Sequence, residues 1–178
     1  MCPGGCDPDP EPVDPPPPPP PGTSPVWPLA TKSRVLSTDF GDRRPFGSSH
    51  PTRHHVGEDL RAPRGTVVFA PQDGAIVRVL PTWYKAKGCV AGALLLEVAD
   101  FVLNLGEVEG WEAFGIAEGV QVKRGQQVAR VGCTGMLHFE VYARGTRATK
   151  RWWWGQPQPA GVFDPTSYLV AAGGVVKG

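Results

Sequence analysis

Apolar residues in this chain recur at every second position or in short unbroken runs. Alternation places successive side chains on opposite faces of a strand, and short runs suit strands covered on both sides. Val35 to Phe40 predicts a first strand, ending at Gly41. Thr66 to Phe69 and Gly74 to Leu80 are rich in β-branched residues and flank a Pro71-Gln72-Asp73-Gly74 turn, a hairpin signal. Ala93 to Val98 is apolar, and Phe101 to Leu105 follows it across the two-residue turn Ala99-Asp100. Gly119 to Gly132 and Met136 to Tyr142 supply the remaining strands. No long 3.6-residue periodicity occurs, so little helix is expected. The pattern predicts an all-β fold, a mostly antiparallel sheet folded as a sandwich or half-barrel.

Composition divides the chain. Residues 1–26 alternate Asp, Glu and Pro, then run as unbroken proline from Pro15 to Pro21. Such a segment buries too little apolar surface to fold and favours polyproline II, a stiff spacer or a docking motif for aromatic grooves. The globular domain is expected over 27–172, with a tail at 173–178. The 178 residues are 40% hydrophobic, enough for one core, and the net charge of +1 gives no electrostatic case for nucleic acid. No apolar run approaches the roughly 20 residues of a membrane span. Met1-Cys2 opens the chain without a visible signal peptide. A phage virion component and a trimmed lipoprotein, lipid-anchored at Cys2, both fit that beginning. Cys89 and Cys133 are either a disulfide in an oxidising compartment or two buried thiols.

The candidate chemistry sits at His55-Val56-Gly57-Glu58-Asp59 and at Met136-Leu137-His138-Phe139-Glu140. His55 and Asp59 are four residues apart and can reach one divalent metal. His138, from a distant strand, completes a two-His, one-carboxylate set that suits Zn²⁺ with a position left open. Alternation puts Met136, His138 and Glu140 on one face, with Leu137 and Phe139 on the core side. The run from His55 through Ala62-Pro63-Arg64-Gly65-Thr66 to Gly74 resembles the first metal motif of the M23 (LytM, lysostaphin-type) zinc endopeptidases. Leu137-His138-Phe139-Glu140 resembles the end of that family's second motif. Val122 to Gly132 resembles its glycine-glutamine hairpin, and Phe163-Asp164-Pro165-Thr166-Ser167-Tyr168-Leu169 its C-terminal signature. Phe40-Gly41-Asp42-Arg43 resembles the approach to the metal motif, which brings Arg43 to the groove.

The resemblance implies an extracytoplasmic protein acting on peptidoglycan peptides, and it exposes two departures. Active members carry two further histidines that act on the attacking water and the developing charge. Alignment places Met136 at one of these positions and Asn104 at the other. Of the four histidines, only His50 and His54 remain to deputise, and both lie before the first motif. Glu58 is a candidate substitute base or a rim acid facing away from Asp59. Glu140 is a candidate substitute base or an orienting partner of a ligand imidazole. Cys133 is a soft ligand only if its tight turn opens. Trp152, Trp153 and Trp154 cannot all face one core, so at least one is expected in the groove or exposed. Three readings follow: a zinc-binding, catalytically degenerate M23 module that recognises peptidoglycan or a protein partner; an active zinc endopeptidase cutting peptidoglycan cross-bridges; or a phage structural component.

Overall fold

A computed structural model describes residues 24–45, 52–86 and 88–177. The proline-rich tail and His50 lie outside this range. Short strands come first: β1 (Val35–Leu36), β2 (Arg43–Arg44), β3 (Arg53–His54), β4 (Glu58–Arg61) and β5 (Val67–Phe69). The long strands β6 (Gly74–Ala86), β7 (Cys89–Glu97) and β8 (Phe101–Glu109) follow. After them come β9 (Gln121–Val122), β10 (Gln127–Val131) and β11 (Met136–Ala143). The chain closes with β12 (Trp152–Trp153), β13 (Val162–Phe163), a one-turn-and-a-half helix α1 (Thr166–Ala171) and β14 (Val175–Val176).

The main sheet runs β13-β11-β8-β7-β6-β9, with β4 paired to β11 and β10 paired to β5 and β8. Every pairing in it is antiparallel. The all-β, mostly antiparallel half-barrel read from the sequence is the fold observed. Strand β7 explains its own unbroken apolar run: Leu94 and Leu96 enter the main core, while Leu95 enters a second cluster with Val102, Tyr142 and Val162 on the other face. Burial on both faces removes the need for alternation. Strand β11 keeps the alternation, with Leu137, Phe139 and Val141 in the main core.

Three local expectations are corrected. Strands β5 and β6 do not form a hairpin: β5 pairs with β10, and β6 with β7 and β9. The Pro71-Gln72-Asp73-Gly74 turn links strands that take different partners within one sheet, and Ala70 before it is fully buried with its N–H donating to the Gln126 carbonyl. The two arms of Val122–Gly132 part for the same reason, β9 joining β6 and β10 joining β5 and β8. The first strand is only Val35–Leu36 and runs parallel to Val175–Val176, so the segment expected as a tail contributes a strand.

The far end of the β6–β7 hairpin rises beside the mouth of the sheet and carries Trp83 and Tyr84. Its pairing slips between Leu80 and Tyr84, the irregularity that bends it. A disulfide between Cys89 and Cys133 ties this tip to the turn before β11. Cys133 is therefore not available as a metal ligand.

Candidate metal centre and cleft

Strand β4 pairs with β11 in the register that sets Asp59 opposite His138. His55 reaches the same point from the loop before β4. His55 Nε2 lies 3.2 Å from His138 Nδ1 and 3.2 Å from Asp59 Oδ1, and His138 Nδ1 lies 2.8 Å from Asp59 Oδ1. All three residues are buried. Donors set tetrahedrally at zinc distances of 2.0–2.1 Å are about 3.3 Å apart, so these separations fit one such ion. The donor set, two imidazoles and a carboxylate, also matches zinc's preferences. The structure thus brings together the three residues expected as ligands.

Their surroundings fix each ligand's orientation. His55 Nδ1 donates to the carbonyl of Asp39 at 3.1 Å, which turns Nε2 toward the centre. His138 Nε2 donates to Glu140 Oε1 at 3.0 Å, which turns Nδ1 inward. Arg44 donates to Asp59 Oδ2 at 3.0 Å and is also paired with Asp39. Such outer partners set the tautomer and basicity of a metal ligand. Gly57 is demanded by this packing. A Cβ there would sit 2.6 Å from the Phe139 carbonyl, 2.8 Å from His138 Nε2 and 2.9 Å from Glu140 Cγ.

Electrostatics favour a cation at the centre. Burial alone would push His138 down, but the hydrogen bonds and charges of Asp59 and Glu140 push it up to about 10. Burial would raise Asp59, yet the two histidines hold its carboxyl well below the usual carboxylate range. A positive charge, whether proton or metal, is what this pocket holds best.

The centre opens into a cleft of about 400 Å³. Trp83 forms one wall, its ring 5.2 Å from that of His138. Gly106, opposite His138 on β8, leaves room for that ring: a Cβ would come within 3.0 Å of it. Lys150, Arg151 and Trp152 line the cleft, as do Arg44, Arg53 and His54. Of the tryptophans, Trp152 reaches the cleft, whereas Trp153 and Trp154 are exposed outside it. Arg43 also stays outside, with its guanidinium over Trp154; its neighbour Arg44 is the arginine that enters. His54 is held in the cleft wall. Its Nδ1 lies 2.7 Å from the Gly41 carbonyl, and its ring stacks against both Trp152 and Trp154.

The expected substitutes fare differently from their assignments. Glu58 is fully buried on the face away from the cleft, where its carboxylate accepts backbone N–H bonds from Ser37, Thr38 and Asp39. It is neither a rim acid nor a base; it anchors the loop that presents Asp39 to His55. Glu140 has its oxygens engaged by His138, the Tyr142 hydroxyl and the Asn104 amide, which leaves it the orienting position. Asn104 is thus turned to Glu140 and does not line the cleft. Met136 does. The residue of β8 that reaches the cleft is Glu107, three positions further on, which sequence reasoning missed. A charged residue inside the apolar run Val102 to Val108 was the available signal. Asp39 and Trp83 were also missed.

Comparison with known proteins places this geometry. The Peptidase family M23 model matches residues 53–150, more than half of the chain. The DD-carboxypeptidase/endopeptidase Mpg of Neisseria meningitidis is 33% identical over 147 residues, covering 77% of this chain and 29% of its own. The chain thus spans less than a third of the curated relatives' length. A zinc-containing peptidase from Vibrio cholerae shares the fold with a TM-score of 0.53 at 24% identity, covering 71% of this chain and 38% of its own. The catalytic domain of the prophage-encoded M23 protein EnpA from Enterococcus faecalis gives 0.51 at 23%, covering 74% and 98%. The chain belongs to peptidase family M23.

Proposed function

We propose that this domain binds Zn²⁺ through His55 Nε2, Asp59 Oδ1 and His138 Nδ1 and engages peptides of peptidoglycan in the cleft above them. The observation that carries the reading is the convergence of those three buried donors at the floor of an open cleft. When bound, the metal would supply Lewis acidity toward a peptide carbonyl. The chain's own residues do the rest. Asp39 and Glu140 hold the imidazoles in register, and Arg44 holds the carboxylate. Trp83 and Trp152 offer flat apolar walls to a peptide, with Lys150 and Arg151 supplying positive charge toward its carboxylates. The Neisseria relative's name and the zinc in the Vibrio protein support the same substrate class and metal.

A second reading, a catalytically silent recognition module, is favoured by Met136, whose thioether can neither take a proton nor donate one at the cleft. Digestion of purified peptidoglycan, with and without a chelator, separates the two. Metal-dependent release of new amino groups supports hydrolysis. Zinc-dependent binding to the sacculus without release supports the module.

A further inference from the structure

Among the described residues, Glu107 is the one acidic side chain of the cleft that neither the ligand set nor its supports employ. It is 6% exposed and lines the cleft, and its Oε2 makes no well-formed hydrogen bond, although the Thr134 hydroxyl, itself unpartnered, lies near enough to act on the carboxyl. A buried carboxylate oxygen left without a donor is costly, so such a group calls for a function.

Its backbone is equally unusual. Glu107 has φ 64°, in the left-handed region that a non-glycine residue rarely adopts, at a cost of roughly 1–2 kcal/mol. The reason is a bulge. On β7, Gly92 pairs with Val108 and Ala93 with Gly106, so Glu107 is the extra residue. The Gly132 N–H donates to its carbonyl at 2.8 Å and holds the bulge shut. Without it, strict alternation would send residue 107 to the core face, since Leu103 and Leu105 lie there. The bulge turns that side chain into the cleft beside His138, which faces Gly106 across the β8–β11 pair. Strain of this kind is found where a side chain must be aimed.

We propose that Glu107 is the proton-transferring carboxylate of a peptide hydrolysis in this cleft. The proposal rests on the metal reading above and chooses hydrolysis over the silent module. Oε2 takes a proton from the water that attacks the scissile carbonyl carbon. The water's O–H bond breaks, an O–C bond forms, and the carbonyl π pair moves to oxygen. When that pair returns, the C–N bond breaks and Glu107 delivers the proton to the leaving nitrogen. Water is the only co-reactant. Burial pushes the Glu107 carboxyl up from its ordinary value, against the opposing pull of the Thr134 hydroxyl and of His138.

The test compares the zinc-loaded wild-type chain with Glu107→Gln, which keeps size and removes basicity. Acetohydroxamic acid, neutral at pH 7, is titrated calorimetrically in two buffers of different ionisation enthalpy to count protons. In the wild type the proton lost on binding passes to Glu107 and net release is near zero. In Glu107→Gln about one proton per molecule is released and affinity falls about tenfold or more, with zinc content and melting temperature unchanged. In parallel, peptidoglycan digestion should slow by about 10²–10⁴-fold. Equal proton counts, or equal digestion rates, overturn the proposal. Loss of zinc in Glu107→Gln overturns it too, because the residue would then be a ligand. A wild-type protein that takes up no zinc overturns the metal reading, and the proposal falls with it.

Discussion

Gly57→Ala is the sharpest probe of how the centre is packed. The added methyl would lie under 3.0 Å from three atoms of β11: the Phe139 carbonyl oxygen, His138 Nε2 and Glu140 Cγ. Strand β11 cannot yield easily, because it is paired to β4 on one edge and β8 on the other. Overpacking of this kind costs about 1–3 kcal/mol. For a domain of this size each kcal/mol lowers Tm by about 2–4 °C, so a fall of roughly 4–8 °C is expected for a 2 kcal/mol effect. The methyl also pushes against the His138 Nε2–Glu140 bond, and disturbing such an outer partner typically lowers metal affinity about 10–100-fold. Thermal melts and chelator competition measure both. Gly74→Ala is the control: its Cβ would lie 2.2 Å from the Glu97 carbonyl, and Glu97 pairs with Val102, at the opposite end of β8 from Gly106. It should lower Tm and leave zinc affinity intact. A Gly57→Ala protein with unchanged Tm and affinity would refute the packing described.

Further outcomes follow from the same structure. Reducing the Cys89–Cys133 disulfide, which closes a 44-residue separation, should cost about 4 kcal/mol by chain entropy, read as a Tm drop on adding reductant. Glu58→Ala frees three backbone N–H groups and loosens Asp39, so it should destabilise the fold by about 2–4 kcal/mol and weaken zinc binding, although Glu58 lies outside the cleft. Trp152→Ala should weaken retention on peptidoglycan while zinc stoichiometry stays constant, a split visible by sedimentation and metal analysis. In the metal-free protein the raised His138 contributes stability that is complete below its ordinary value of 6.5 and lost as pH rises through about 10. The lowered Asp59 contributes stability present above its ordinary 3.8 and lost as pH falls below it. Chelated protein should therefore melt highest between about pH 4 and 6.5; a Tm that climbs steadily from pH 6.5 to 10 would contradict this.

What could be read from the sequence was whatever strict alternation preserves. His138 and Leu137 fall on opposite faces because β11 is regular, and the His55–Asp59 spacing needs only one short extended segment. Alternation misleads where it is broken or where both faces are covered. The bulge at Glu107 turns one residue of β8 against the alternation, whereas alignment to the family's motif had put the cleft position at Asn104. Glu58 looks like a surface acid in a polar motif, but its partners are backbone amides of residues 37–39, some twenty positions away. Asp39 supports His55 through a loop whose path no local propensity dictates. The turn at Pro71–Gly74 was correctly a turn; its flanking strands pair with β10 and with β7 and β9, partners distant in sequence that no local pattern names.

The central claim is that two imidazoles and one carboxylate hold a single zinc ion at the cleft floor. Zinc-edge X-ray absorption on the reconstituted protein tests it directly, compared between wild type and His138→Ala. One zinc per chain with two imidazole nitrogens in its shell is expected in the wild type, and loss of one imidazole with much weakened binding in the variant. An unchanged shell and full occupancy in His138→Ala would contradict it.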